Sequence, residues 1–232
     1  MTIKGMIFDI DGTLIDTNAA HVEAWRRAFA RMGYHVPTQR IVAETGKGGD
    51  HLVPSVLGDE VEKREGESLR RLQKEEFLTI AATQHFGVFP GTEEIFPALR
   101  ARGIGTALAT SSDEKHLDAT LASAGLDLRR LADVVVTKAE KEASKPAPDL
   151  VVDSVERLGL SATECAMVGD TVYDGEACRR AGVVFLGVLS GGTPESELRE
   201  AGAREVWEDV GHLLADLDRA IEIASLDPAG NR

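Results

Sequence analysis

Met6-Ile7-Phe8-Asp9-Ile10-Asp11-Gly12-Thr13-Leu14 holds an apolar run interrupted by one aspartate and closed by a second aspartate and a glycine. Such a run, stopped by Asp-Gly, predicts a buried strand that ends at a turn. Two carboxylates then stand at the C-terminal end of a strand, which is where open α/β sheets bind their ligands. Carboxylates this close repel, so their environments should drive their pKa values apart. A pair of that kind can divide labour between nucleophile or metal ligand and general acid/base. A surface Asp-Gly turn accounts for the same residues, so the rest of the chain has to decide.

Four more short apolar runs follow, at Ile104–Thr110, Val134–Thr137, Cys165–Gly169 and Val183–Val188. Helical patterns separate them at Glu93–Arg102, Glu114–Ala124, Asp149–Leu158 and Gly175–Ala181. Strands alternating with helices imply an α/β fold, a parallel sheet covered by helices on both faces. The gap between the first two strands is far longer than the roughly 10–15 residues of one crossover helix. Val22, Trp25, Phe29 and Met32 recur at helical spacing within it, and Leu69, Leu72, Phe77 and Ile80 suggest a second helix after the charged stretch Glu60–Glu67. That charge run reads as a solvated face or loop. The expected organisation is a core of residues 1–16 and 88–232 carrying an inserted helical domain of residues 17–87. Asp227–Arg232 reads as a frayed tail.

The 232 residues carry a formal net charge of −13, which disfavours non-specific binding to nucleic acid or anionic membrane. An anionic ligand would need a local positive group. Cys165 and Cys178 lack metal-site spacing and read as buried, reduced thiols. No signal segment or bilayer-length apolar run is present, so the cytoplasm is the expected compartment. The oligomeric state is left open.

Three further segments fall where the fold would place a ligand. Thr110-Ser111-Ser112 offers hydroxyls and amides for a phosphate or carboxylate, or simply the cap of the next helix. Lys145-Pro146 supplies a localised cation before a helix, although proline near a helix start is also a routine boundary signal. Asp170 follows a strand and Asp174 lies about one turn on, so both can serve Mg²⁺ or cap a helix. Gly46-Lys47-Gly48-Gly49 fails as a P-loop, because no strand precedes it and Lys47 is followed by glycine. It reads as a loop of the insert that could face a substrate. His21 reads as structural.

In this order, Asp9-x-Asp11-Gly12-Thr13, Thr110, Lys145-Pro146 and Gly169-Asp170-x-x-x-Asp174 resemble the haloacid dehalogenase-like hydrolase superfamily, in its capped phosphoglycolate phosphatase and β-phosphoglucomutase-like branch. The resemblance spans essentially the whole chain and implies a Rossmann-like core with a small α-helical cap. It implies that Asp9 attacks phosphorus and that Asp11 is the general acid/base, with a raised pKa. Thr110 and Lys145, helped by the Ser111 backbone, would hold the phosphoryl oxygens. Asp9, the Asp11 carbonyl and Asp170 would hold Mg²⁺, with Asp174 supporting it. Asp11 argues against the family's dehalogenase and phosphonate-cleaving chemistries. The expected activity is a Mg²⁺-dependent phosphatase acting on a small phosphorylated metabolite, with Lys47 as a further substrate contact. The alternatives are a sugar phosphomutase or a catalytically silent binding protein; the mutase-type Ser-Arg pair is absent from the cap loop.

Overall fold

The computed structural model describes residues 2–137 and 145–226; the expected frayed tail lies outside them. In chain order, β1 (Gly5–Phe8) and β2 (Ile15–Asp16) lead into α1 (Asn18–Arg31), α2 (Thr38–Val42), α3 (Gly49–Leu57) and α4 (Asp59–Ala81). The chain returns through β3 (Gly87–Val88), α5 (Thr92–Arg100), β4 (Gly105–Thr110), α6 (Glu114–Ala124) and β5 (Val134–Thr137). It closes with α7 (Asp149–Leu158), β6 (Cys165–Gly169), α8 (Val172–Ala181), β7 (Val184–Val188), α9 (Glu195–Glu200), β8 (Ala203–Trp207), α10 (Val210–Ala215) and α11 (Leu217–Ser225).

Six strands form one parallel sheet in the order β5-β4-β1-β6-β7-β8. Alternation within β1 explains why its run is continuously apolar. Met6 and Phe8 pack into one buried cluster with Leu108, Ala166 and Val168, while Ile7 points into another with Ala107, Ala109 and Met167. With both faces covered, neither parity of residue can be polar. The register pairs Phe8 with Leu108 and with Val168. Asp9, Thr110 and Asp170, each at or just past the end of its strand, therefore emerge on one edge.

The sequence reading expected five strands; β8 is a sixth. Its residues Ala203-Arg204-Glu205-Val206-Trp207 bury only the two ends, as suits an edge strand with one neighbour, so no apolar run announces it. The helix expected after Glu60–Glu67 in fact begins at Asp59 and absorbs that charge run as its first turns. Asp59, Glu60 and Glu62 in the first turn complement the helix dipole. Likewise α8 starts three residues before the expected Gly175. Thr171 caps it reciprocally with Asp174: the Asp174 amide donates to Thr171 Oγ1 at 3.2 Å and the Thr171 amide to Asp174 Oδ2 at 3.0 Å.

Between β2 and β3, which pair antiparallel through Ile15–Val88 and Asp16–Gly87, lie all four helices α1–α4. They own a separate apolar cluster built on Trp25, Phe29, Ile41, Leu52, Val53, Val56 and Leu69. The other faces of α1 and α4 join the core through Ala20, Ala24, Phe77 and Ile80. Among the described residues no helix is long and apolar enough to cross a membrane.

Candidate active site

Asp9 directly follows β1, with its amide donating to the Val168 carbonyl at 3.0 Å. Its carboxylate is buried against the Lys145 ammonium. That ammonium also lies 2.8 Å from Asp174 Oδ1 and donates to the Ala109 carbonyl at 3.2 Å. Lys145 is only 2% exposed, and Asp170 and Asp174 are as deeply buried. Carboxylate oxygens of Asp9, Asp170 and Asp174 lie within 4.8 Å of one another.

Asp170 is held from two sides. Thr13 Oγ1 donates to Oδ1 at 2.8 Å, and Asn18 Nδ2 approaches Oδ2 at 3.4 Å while donating to the Gly191 carbonyl at 3.0 Å. Glycine is required around it: a Cβ on Gly191 would stand 1.6 Å from Asp170 Oδ2, and one on Gly12 2.5 Å away. Gly12 also has φ +86°, a backbone that other residues adopt only with strain. Asp174 Oδ2 accepts from Thr171 Oγ1 at 2.6 Å.

Asp11 has a different environment. Thr17 Oγ1 donates to its Oδ1 at 2.7 Å, with His21 Nε2 at 3.3 Å. Thr110 Oγ1 and Ser112 Oγ donate to Oδ2 at 3.2 and 3.3 Å. His21 is positioned by stacking on Phe77, centroid to centroid 4.2 Å. Ser111 Oγ is buried without a hydrogen-bond partner.

These surroundings separate the two aspartates, in the sense opposite to the expected one. Burial, with Asp174 and Asp11 adding to it against the pull of Lys145, pushes Asp9 up to about 7. Burial acts on Asp11 too, but the bonds from His21, Thr17 and Thr110 outweigh it and hold Asp11 well below the usual carboxylate range. Burial and the neighbouring Asp9 and Asp174 push Asp170 well up. Against its own burial, Asp174 and Asp9 hold Lys145 firmly protonated.

Asp9, Asp11, Ser111, Ser112, Lys145 and Asp174 line a cavity of about 820 Å³ between the strand ends and helices α1, α3 and α4, and Thr110 and Asp170 join them through Asp11 and through the carboxylate cluster. Thus Asp9, Asp11, Thr110, Ser111, Lys145, Asp170 and Asp174 gather at one end. Lys47 lines the same cavity from the opposite side. There it is engaged by Glu44, by Ser55 Oγ at 2.9 Å and by the Tyr173 ring, 5.1 Å from its centroid. The sequence reading gave no role to Thr13, Thr17 or Asn18, and left His21 structural. The signal for the last was available: Thr17 and His21 are four residues apart, hence on one helix face.

The family model for haloacid dehalogenase-like hydrolases matches residues 3–182. The chain belongs to this family. Among relatives, phosphoglycolate phosphatase of Shigella boydii is 24% identical over 93% of this chain and 92% of its own. Suppressor of quenching 1, a chloroplastic protein of Arabidopsis thaliana, is 27% identical over 91% of this chain, yet the chain spans only 20% of that protein's length. A hydrolase from Pseudomonas syringae superposes with a TM-score of 0.83 at 29% identity, covering 94% of this chain and 99% of the other. This haloacid dehalogenase-like chain is accordingly an enzyme of the phosphoric monoester hydrolase class.

Proposed function

We propose that this chain is a Mg²⁺-dependent phosphatase that hydrolyses a small phosphomonoester through an aspartyl-phosphate on Asp9. The observation that carries the reading is the unequal pair of aspartates at one mouth of the cavity. Asp9 is buried beside a lysine; Asp11 is ringed by hydroxyl and imidazole donors.

The donor set suits a hard dication. Three buried carboxylates, once ionised, exceed the single Lys145 charge by two, and all donors are oxygens. In this reading Asp9, Asp170 and the Asp11 carbonyl hold Mg²⁺, with Asp174 alongside. When bound, the ion would offset part of the carboxylate and phosphoryl charge and so keep Asp9 ionised at neutral pH.

Asp9 then attacks phosphorus as the ester oxygen departs with a proton from Asp11. Water next attacks the aspartyl-phosphate, its proton passes to Asp11, and phosphate is released. Asp11 enters as a carboxylate in the substrate-free protein, but a phosphoryl dianion placed against it raises its pKa, so protonation accompanies substrate binding. Thr110, Ser111 and Lys145 position the phosphoryl oxygens. Helices α1–α4 act as the cap, residues 17–87, that screens the reaction from bulk water. The substrate is a small metabolite that fits beneath it, not nucleic acid or a membrane, and the expected compartment is the cytoplasm.

The test is turnover of p-nitrophenyl phosphate and a phosphoester panel with and without Mg²⁺. Asp9→Asn is expected to lower kcat by about 10³-fold or more. Asp11→Ala is expected to abolish turnover while leaving Mg²⁺ affinity largely intact. Absence of Mg²⁺-dependent turnover across the whole panel sinks the reading.

A further inference from the structure

Opposite the catalytic aspartates, the cavity roof presents Lys47, Arg70, Arg71 and Lys74. By count alone these would suit a second anion on the substrate. Each, however, is already matched by a carboxylate. Lys47 pairs with Glu44, Arg71 Nη1 lies 3.1 Å from Glu75, and Lys74 Nζ lies 2.7 Å from Asp113. Arg70 Nη1 sits 2.7 and 2.8 Å from the two oxygens of Glu62. Glu67 adds another acid to the lining. Among the described residues, the roof holds no cation without a carboxylate partner.

The Arg70–Glu62 pair is built into the helix that carries it. The two residues are eight apart on α4, so Glu62 must lie back along the helix surface to reach Arg70. Gly66 stands between them, and a Cβ there would come within 2.2 Å of Glu62 Oε2. Glycine inside a helix is destabilising relative to alanine. Here its missing side chain leaves the space the Glu62 carboxylate occupies.

A substrate with a second phosphate or a carboxylate on its leaving group would meet this compensated roof within a chain of net charge −13. An enclosed anion without its own cation is disfavoured. Matched ion pairs instead offer donors and acceptors side by side, as do Asn18, Gln73 and Ser112 in the same lining, which suits hydroxyl groups. Resting on the phosphatase reading, we propose that the cavity takes the monophosphate of a neutral, polyhydroxylated alcohol, a sugar or polyol phosphate, and disfavours leaving groups that carry a second anion.

Matched substrate pairs test this: 2-hydroxyethyl phosphate against 2-phosphoglycolate, and glucose 6-phosphate against glucose 1,6-bisphosphate. The neutral member of each pair is expected to have the higher kcat/KM, by about tenfold or more. Glu62→Gln removes the charge that compensates Arg70, and Gly66→Ala displaces the Glu62 carboxylate while keeping a good helix former. Both are expected to narrow the preference by about fivefold, mainly by lowering KM for the anionic member. Equal or better turnover of the anionic members by the unaltered protein overturns the inference. So does a preference for the neutral members that neither variant changes, provided circular dichroism shows both folded. Turnover of none of these esters, nor of p-nitrophenyl phosphate, overturns the phosphatase reading itself and takes this inference with it.

Discussion

The floor and the roof of the cavity are both lined with ion pairs, yet they obey different physics. On the floor, Lys145 serves Asp9 and Asp174 in a site where all three are nearly sealed from water, and Asp170 adds a third buried carboxyl group beside them. On the roof, each cation has a carboxylate partner, and the pairs run from about one-fifth exposed, as in Lys47 and Glu44, to half-exposed at Lys74. The floor is left electrostatically incomplete, with three carboxyl groups around one ammonium. The roof is already complete. Buried charge without matched partners calls for a bound ligand; paired, partly exposed charge does not.

The sharpest way to break this contrast is at Lys145. In metal-free buffer Lys145→Met leaves Asp9 and Asp174 buried without their cation. The expected loss is about 3–5 kcal/mol of unfolding free energy, read by urea denaturation and partly restored by Mg²⁺. A loss below about 1 kcal/mol would make the floor no different from the roof.

Asn18 tests the boundary between the two regions, because it begins α1 and touches Asp170 and the Gly191 carbonyl. Asn18→Ala is expected to weaken Mg²⁺ or Mn²⁺ binding by about 10–100-fold, measured by calorimetric titration on the folded variant. An affinity within about twofold of the unaltered protein would show that Asp170 is oriented adequately by Thr13 alone.

The smallest effect belongs to the roof. Lys74→Gln breaks its half-exposed pair with Asp113 and is expected to change unfolding free energy by less than about 1 kcal/mol. A loss several times larger would mean that this pair bears on docking of the helical insert, contrary to its exposure.

Much of this was legible in the chain. The strands β1, β4, β6 and β7 are covered on both faces, so their sequences had to be largely apolar and could be read directly. Asp9, Asp11, Thr110 and Lys145 stand at strand ends or helix entrances, where local punctuation marks them. Strand β8 was missed because an edge strand need bury little, α2 because it is a five-residue helix, and α3 because it opens on Gly49 and carries Pro54 inside. The interior glycine of α4, Gly66, carries no meaning until Glu62 and Arg70 are placed.

The relation between the two aspartates divides sequence from structure most clearly. The sequence by itself determined that Asp9 and Asp11 share one strand end, that a lysine and two further aspartates follow in order, and that helices interrupt the core between its first two sheet strands. Only the tertiary structure decided which aspartate is shifted upward. Burial beside Asp174 raises Asp9, whereas Thr17 and His21 from the start of α1 and Thr110 from β4 hold Asp11 down. Proton affinity follows solvation and hydrogen-bond donors, and these arrive from segments as far as 136 residues away in the chain.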